Sequence, residues 1–229
     1  MKIPAKPRRP LADQSAVHDQ VYARLRDALM AGRIAPGRAL SLRGLAGELG
    51  VSPMPVRDAV RRLAAERALA INPANKRLSV PQLEPARLEQ VAAARGWVEP
   101  ELAARAAARC DAVLVRTLAD IDTAIDRALE AHDLDGYMQG NRAFHFTLYR
   151  AADAEVLLNM AETLWLQIGP FMRLVFERLG ALQLPADRHQ EAIAALRAGD
   201  PDACRKAIAA DIAEGMDAMR QSFETPAAP

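Results

Sequence analysis

Residues 41–70 read SLRGLAGELGVSPMPVRDAVRRLAAERALA, and this stretch decides the fold of the N-terminal third of the chain. It opens on a serine that can cap a helix, continues with leucines at helical spacing, and reaches Gly50, where a left-handed helix cap is common. Ser52 then caps a second predicted helix whose first position is Pro53, a position at which a missing N–H costs nothing. The stretch therefore predicts two short helices joined by a tight turn.

The second of these helices has two different faces. One face is apolar (Val56, Ala59, Val60 and Leu63), and the other carries three arginines (Arg57, Arg61 and Arg62). Two helices around a glycine turn, the second with an arginine-rich outer face, are typical of a helix-turn-helix. The same pattern also occurs in proteins that never touch DNA, so DNA binding is a hypothesis at this point.

The flanking residues extend the motif. Apolar residues at helical spacing predict a first helix over residues 15–31, followed by a turn at Pro36 and Gly37. After the two central helices, apolar residues alternate around a polar tip at residues 72–77, which predicts a small hairpin. Three helices and a hairpin make a winged helix-turn-helix over residues 16–80, with a basic wing tip at Asn75, Lys76 and Arg77.

Charge is distributed unevenly along the chain. The 229 residues have a net charge of +1, but residues 1–80 hold 15 Lys and Arg against 6 Asp and Glu, and residues 81–229 hold 15 against 23. A basic head beside an acidic remainder favours a polyanion such as double-stranded DNA as partner of the head. No apolar run reaches the length of a membrane span, and Cys110 and Cys204 make no disulfide framework. These features predict a cytoplasmic protein without a membrane partner.

The remainder of the chain is rich in Ala and Leu and predicts an antiparallel all-α bundle. We expect a disordered basic arm over residues 1–15, a linker over 81–86 and a helical domain over 87–223. Pro100 and Pro170 should kink or split the helices that contain them. The predicted helices span residues 87–110, 112–132, 134–152, 155–179, 185–198 and 201–223.

The order of elements over residues 16–80 resembles the GntR family of bacterial transcription regulators. The resemblance is carried by Leu29-Met30-Ala31-Gly32-Arg33-Ile34, Pro36-Gly37, Leu45-Ala46, Leu49-Gly50-Val51-Ser52 and Pro55-Val56-Arg57-Asp58-Ala59. It implies DNA contacts by Arg43 and Arg57, while a further arginine of the family pattern is replaced by Pro53. The predicted DNA-binding residues are Arg43, Ser52, Met54, Arg57, Lys76 and Arg77; the alternative for each arginine is a solvated surface charge.

Four residues of the bundle can form a polar cluster. Asn141 and His145 lie four apart and share a helix face. His189 and Asp211 each lie 11 residues from Asp200, at the turn of the last helical hairpin, so an antiparallel arrangement puts them at the same level. Nitrogen and oxygen ligands of this kind suit a transition metal. The alternative is a pair of hydrogen-bonded pocket histidines.

Residues 87–220 resemble the FCD domain, the helical ligand domain of the FadR-type branch of the same family. The matching residues are Arg95-Gly96-Trp97-Val98-Glu99, Asn141-Arg142-Ala143-Phe144-His145, His189, Ala192-Ile193, Gly199-Asp200, Ala203 and Asp211. The resemblance implies a divalent transition metal (zinc, nickel or manganese) at Asn141, His145, His189 and Asp211. The family's Asp falls on Asn141, and its third His falls on Asp211. The resemblance also implies a small organic acid as effector, with Arg95 and Arg173 as its counter-charges; an ion pair with an acidic side chain is the alternative for Arg95.

These features together predict a ligand-responsive regulator that binds a palindromic operator as a homodimer. One alternative is a helical metal-dependent enzyme that uses His145, His189 and Asp211. It would leave the basic head unexplained. A third possibility is a structural nucleic-acid-binding protein whose bundle serves only for assembly.

Overall fold

The computed structural model describes residues 11–75, 77–179 and 187–224 of the chain. This part is mainly α-helical and contains one two-stranded antiparallel sheet, which confirms the predicted fold class. The elements are α1 (Leu11–Met30), α2 (Leu42–Leu49), α3 (Pro53–Ala65), β1 (Ala70–Ile71), β2 (Leu78–Ser79), α4 (Pro85–Ala107), α5 (Ala112–Glu130), α6 (Leu134–Arg150), α7 (Glu155–Leu179), α8 (Arg188–Ala198) and α9 (Pro201–Glu224).

The two central helices of the head have the predicted caps, with one exception. The Ser41 hydroxyl accepts a hydrogen bond from the Gly44 N–H at 3.0 Å, and Gly50 closes α2 with a left-handed φ of 68°. Pro53 begins α3 as predicted. Ser52 is the N-cap residue of α3, as predicted, but its side chain makes no capping hydrogen bond. Proline supplies no N–H at the first position of α3, and the fixed φ of proline favours the helix start without a side-chain cap.

The predicted hairpin forms the wing. β1 and β2 pair in antiparallel register, with Ile71 opposite Leu78. Leu40 adds a further bridge to Leu78, with N–H to O distances of 2.8 and 3.1 Å, and this bridge ties the wing to the segment before α2. At the tip, the Asn72 side chain accepts hydrogen bonds from the Ala74 and Asn75 N–H groups. Lys76 lies outside the described residues.

The boundaries of several elements differ from the predictions. α1 begins at Leu11, so residues 11–15 are helical rather than part of a disordered arm; residues 1–10 lie outside the described residues. α4 begins at Pro85, inside the predicted linker, because proline is favoured in the first turn of a helix. α8 is described from Arg188, and residues 185–186 of its predicted start lie outside the described residues.

The bundle packs α4 and α8 on α9, and α5 on α6. Its core includes side chains that are essentially inaccessible to solvent: Leu102, Phe144, Trp165, Ile193 and Ile208. Pro100 and Pro170 do not split their helices, since α4 and α7 continue through them. Burial of apolar side chains on both sides of each proline offsets the missing hydrogen bond. None of the helices in the described ranges combines the length and apolarity that a membrane crossing requires.

The head docks on the bundle through a contact between α1 and α7. Gly169 lies so close to the end of α1 that a Cβ atom on it would be 2.7 Å from Met30 Cα and 2.8 Å from Met30 O. Only a residue without a side chain permits this approach. Two ion pairs join the same two parts of the chain: Arg26 Nη2 to Glu162 Oε2 at 2.5 Å, and Arg142 Nη1 to Asp27 Oδ1 at 2.7 Å.

Candidate DNA-binding surface and candidate ligand cavity

The head presents the predicted DNA-contacting side chains to solvent. Arg43 on α2 and Arg57 on α3 are exposed, and neither makes an ion pair with any residue in the described part of the chain. Ser52 and Arg77 are also exposed, and Met54 has 58% of its surface exposed at the start of α3. An exposed methionine and unpaired guanidinium groups at the front of a helix form a surface that suits a duplex groove and its phosphates.

Arg62, the third arginine predicted on this face, is held by the head itself. Its Nη1 lies 3.2 Å from Asp19 Oδ1, and its guanidinium lies 3.7 Å from the centre of the Tyr22 ring. The Tyr22 hydroxyl in turn donates to Glu66 at 2.7 Å. Burial and the neighbouring Glu66 carboxylate raise the pKa of Tyr22 to about 12. Arg62 therefore joins α1 to α3 and is less available to DNA than Arg57, which is exposed nearer the start of α3.

A cavity in the bundle is lined by α4, α6, α7 and α9. It has a volume of about 50 Å³. One part of its wall is polar and consists of Arg95, Asn141, His145 and Asp211; the other is apolar and includes Met172, Val175 and Phe176. The predicted cluster is therefore partly assembled here: Asn141, His145 and Asp211 line one cavity, and His189 reaches the same carboxylate from α8.

Hydrogen bonds fix the protonation of His145 at its Nδ1 atom. Burial and the adjacent Glu99 carboxylate raise the pKa of Tyr149 well above its usual range, so the hydroxyl keeps its proton. Tyr149 donates that proton to Glu99 Oε2 at 2.7 Å. The Tyr149 oxygen also lies 2.9 Å from His145 Nδ1. Because its own hydrogen is already donated to Glu99, the oxygen must accept a hydrogen bond from His145. His145 Nδ1 therefore carries a proton, and Nε2, on the other side of the ring, points away from Tyr149.

His189 has an equivalent arrangement on the other side. Its Nδ1 lies 3.1 Å from Asp122 Oδ1, and Asp122 Oδ2 accepts from Gln190 Nε2 at 2.5 Å. The Asp122 carboxylate therefore accepts a hydrogen bond from the Nδ1–H of His189. His189 Nε2 is buried and has no hydrogen-bond partner in the described part of the chain. A carboxylate behind an imidazole fixes its tautomer and ring orientation, as is usual for metal-binding histidines.

The two Nε2 atoms face the same carboxylate. His145 Nε2 lies 3.2 Å from Asp211 Oδ2, and His189 Nε2 lies 4.0 Å from Asp211 Oδ1. One ligand atom from each of these three residues falls within 4.8 Å of the others. Burial by itself raises the pKa of Asp211, but the hydrogen bond from His145 and the charges of both histidines and Arg95 outweigh it and leave the pKa below its usual value. Two ring nitrogens and a carboxylate that converge in this way need a proton or a cation between them.

Arg95 lies in the cavity wall, but Glu99 neutralises its charge. The side chain of Arg95 is buried, with Nε 2.5 Å from Glu99 Oε1 and Nη2 3.1 Å from Glu99 Oε2. The ion pair that the sequence left as an alternative is thus present, on the same helix rather than a facing one. Trp165 Nε1 also donates to Glu99 Oε2 at 3.0 Å. The same ion pair holds the pKa of Arg95 above its usual value despite the opposing effect of burial.

Arg173 does not reach the cavity in this conformation. It is not among the residues that line the cavity, and its Nη1 lies 2.5 Å from Asp135 Oδ1. Its Cβ lies 3.1 Å from the position that a Cβ on Gly32 would take, beside the end of α1. Arg173 therefore lies on the side of α7 that faces the head.

Sequence reasoning missed three side chains that hold the cluster in place: Glu99, Asp122 and Tyr149. Asp122 lies at a buried position of α5, between Leu118 and Ile125 in the apolar stripe. A carboxylate at a predicted core position indicates a buried polar contact, because a buried charge needs a partner. The sequence therefore offered a signal for Asp122. No comparable local pattern distinguishes Tyr149 from an ordinary core aromatic.

Comparisons with known proteins agree with this architecture. The gntR family of bacterial regulatory proteins matches residues 17–75, and the FCD domain family matches residues 90–214. The HTH-type transcriptional regulator McbR of Escherichia coli strain K12 is 27% identical over 206 residues, which cover 89% of this chain and 93% of McbR. The HTH-type transcriptional repressor RspR of the same strain is 25% identical over 205 residues and covers 90% of each chain.

Solved structures give the same result. Escherichia coli McbR/YncC superposes with a TM-score of 0.80 at 27% identity, over 90% of this chain and 98% of that chain. A transcriptional regulator from Rhodococcus sp. RHA1 shares the fold, with a TM-score of 0.69 at 22% identity over 91% of this chain and 98% of the other. The matched families and these relatives are transcription regulators rather than enzymes, which decides against the metal-dependent enzyme alternative.

Proposed function

The chain belongs to the FCD-domain branch of the GntR family of bacterial transcription regulators, and on this premise we propose that it is a ligand-responsive regulator that binds a palindromic operator as a homodimer. The head binds one operator half-site, and the bundle holds two heads at the spacing of the palindrome. A small organic acid in the bundle cavity changes the affinity of the dimer for DNA.

The exposed arginines of the head support the DNA-binding part of the proposal. Arg57 reads a base edge or clamps a phosphate, since its planar guanidinium pairs bidentately with guanine or phosphate. Arg43, at the start of α2, contacts the adjacent phosphate backbone. Arg77 and Lys76 extend the contacts from the wing.

A divalent transition metal ion fits the cluster in the bundle. The observation that carries this part is the buried Nε2 of His189, which has no hydrogen-bond partner in the described residues and faces Asp211 beside His145. His145 Nε2, His189 Nε2 and an Asp211 oxygen would hold the ion, with the Asn141 side chain next to them in the same cavity. Such an ion supplies a fixed positive charge that binds oxygen ligands.

The effector is a small carboxylate that occupies the cavity beside this cluster. Arg95 and Asn141 in the polar wall carry N–H groups that can donate to a carboxylate, and the opposite wall is apolar. Glu99 holds Nε and Nη2 of Arg95, whereas Nη1 contacts the weak acceptor Met216 Sδ at 3.4 Å and can turn to a carboxylate. An anion that enters next to a positively charged centre gains charge-assisted hydrogen bonds.

Contacts of α6 and α7 support a route from cavity to head. Asn141 lines the cavity, and the next residue, Arg142, pairs with Asp27 of α1. On α7, Met172 lines the cavity, and the next residue, Arg173, lies beside Gly32 at the end of α1. A ligand that binds one arrangement of these helices better than another shifts the population of DNA-competent dimers.

The test uses the full-length protein, freed of metal with a chelator and dialysed. Zinc, nickel and manganese are added separately, and the melting temperature is recorded with and without a panel of small carboxylates. We expect at least one metal to raise the melting temperature in the wild type and not in His189→Ala, since a ligand that binds only the folded state stabilises it. A matching acid should then change the affinity for a fragment of the protein's own promoter region, measured by fluorescence anisotropy.

Two results would contradict the proposal. If no metal and no acid alters the melting temperature, the bundle serves for assembly alone. If light scattering finds a monomer at the concentrations at which the protein binds DNA, the homodimer is wrong.

A further inference from the structure

A second, largely apolar cavity adjoins the first. This annex has a volume of about 180 Å³ and is lined by Ala128, Leu129, Leu134, Tyr137 and Phe176, with His132 and Asp133 as its polar residues. Tyr137 and Phe176 also line the first cavity. The two cavities therefore share one wall, made of two aromatic side chains.

The two cavities follow each other along α6. His145, Asn141 and Tyr137 lie on successive turns of the helix, so the lining of the first cavity follows the axis of α6. On α9 the cavity is likewise lined from successive turns, by Asp211, Gly215 and Met219. The end near His145 and Asp211 is polar, and the end near Tyr137 is apolar. A ligand that places its carboxylate at the polar end therefore directs its chain towards the shared wall.

The volumes set the size of that ligand. A cavity must offer about 10–15 Å³ to hold one water molecule. The first cavity has about 50 Å³ and therefore has room for only a few waters. A carboxylate with a short chain fills it. A longer chain needs additional apolar space, and the annex offers such space on the other side of the wall.

The wall is closed in this structure. The rings of Tyr137 and Phe176 lie with their centroids 4.5 Å apart and their planes inclined by 59°. Tyr137 is 8% exposed, and Phe176 is partly buried at the end of α7. We propose that Tyr137 and Phe176 determine the specificity of the effector site by limiting it to short-chain carboxylates, and that the annex accommodates longer chains once Phe176 is removed. This proposal rests on the effector site proposed in the preceding section.

The experiment measures the binding of unbranched monocarboxylates, from acetate to octanoate, to the full-length protein purified without chelators, by isothermal titration calorimetry. The wild type should bind acetate, propionate and butyrate and lose affinity at hexanoate and octanoate. In Phe176→Ala the order should reverse. Each methylene that enters the annex should improve Kd by about fourfold, the change that about 0.8 kcal/mol per buried methylene corresponds to.

Three further variants separate the wall from a general loosening of the bundle. Tyr137→Phe keeps both rings, so its chain-length limit should equal that of the wild type. Phe176→Leu keeps much of the side-chain volume and should shift the limit only partly. Leu129→Phe, added to Phe176→Ala, refills the annex and should restore the preference for short chains.

The outcomes distinguish the two proposals. If no carboxylate of any length binds the wild type or the variants, the proposed effector site is wrong. If short acids bind but Phe176→Ala leaves the chain-length limit where it was, the effector site stands and the wall is refuted. A wild type that prefers octanoate would refute the wall as well.

Discussion

Arg57 shows how much depends on the partners of a single side chain. Its neighbour Arg62 lies one turn and one residue further along α3, yet Asp19 and Tyr22 hold that guanidinium against the head. Arg57 is exposed and has no such partner among the described residues. The sequence places both on the arginine-rich face, and only the positions of α1 and α3 relative to each other distinguish them.

Replacing Arg57 by alanine should weaken operator binding by about 1–3 kcal/mol for each bidentate pair with a base that the guanidinium makes. The affinity is measured by fluorescence anisotropy on operator DNA and on a scrambled duplex of equal length. Arg116→Ala is the matched control, because it removes the same charge from an exposed position on α5, in the bundle. If both variants weaken binding equally, net charge rather than a specific contact explains the effect.

Asp122 acts on the cluster through His189. Asp122 Oδ1 accepts a hydrogen bond from His189 Nδ1, at a distance of 3.1 Å, and this contact directs His189 Nε2 towards Asp211. Asp122→Asn should therefore weaken metal binding by about 10–100-fold, as measured by competition with a chromogenic chelator. Asp120→Asn, at another exposed position of α5, is the control and should bind metal like the wild type. Equal affinity in Asp122→Asn would show that the carboxylate does not orient the ring.

The candidate cluster could be predicted from the sequence only in part. His145 and Asn141 follow from helical spacing, and His189 and Asp211 follow from the symmetry of one antiparallel hairpin, so local rules reach all four. Asp122 pairs with His189 across 67 residues of chain, and Glu99 accepts from Trp165 across 66. Such pairs depend on which helices become neighbours, and periodicity carries no information about that.

At the scale of elements, apolar periodicity predicted which segments form helices. It did not predict where some helices begin, or that α4 and α7 continue through their prolines. α4 begins at Pro85 because proline suits the first turn of a helix, and it continues through Pro100 because burial of its apolar stripe outweighs one missing hydrogen bond. α1 extends back to Leu11, beyond the first apolar residues of its predicted stripe. Apolar periodicity therefore locates a helix but does not fix the residues at which it begins and ends.

Gly169 tests the packing of α1 on α7. A Cβ there would lie 2.7 Å from Met30 Cα and 2.9 Å from Leu29 O, so Gly169→Ala must push the two helices apart. Overpacking of this kind should lower the free energy of unfolding by about 1–3 kcal/mol, measured by urea denaturation.

Gly96 provides the control for this substitution. It lies in α4 with open space around its Cβ position. Gly96→Ala should therefore stabilise the protein by up to about 1 kcal/mol, since alanine is the better helix former. If Gly169→Ala is also stabilising, the close approach of α1 and α7 is not maintained in solution.

At the scale of the whole molecule, a basic head is joined to an acidic bundle by the packing of α1 on α7 and by two ion pairs. Residues 1–80 carry a net charge of +9 and residues 81–229 a net charge of −8. The two parts therefore attract each other. We expect DNA binding by the head to weaken as salt is added, because each phosphate contact releases condensed counterions.

Removing the ion pairs between head and bundle should uncouple metal binding from DNA binding. Arg142 pairs with Asp27 beside the cavity residue Asn141, and Arg26 pairs with Glu162 of α7. In the wild type we expect metal to change operator affinity by a factor within the usual allosteric range of about 5–150, and DNA must change metal affinity by the same factor. In the double variant Arg26→Ala/Arg142→Ala this factor should fall towards one, while metal affinity without DNA stays unchanged. Anisotropy titrations with and without metal give this factor in the wild type and in the double variant. The control is Arg109→Ala, which removes an exposed ion pair with Asp153 within the bundle. An unchanged factor in the double variant would mean that the signal passes through the apolar contact of Gly169 with Met30 rather than through the charges.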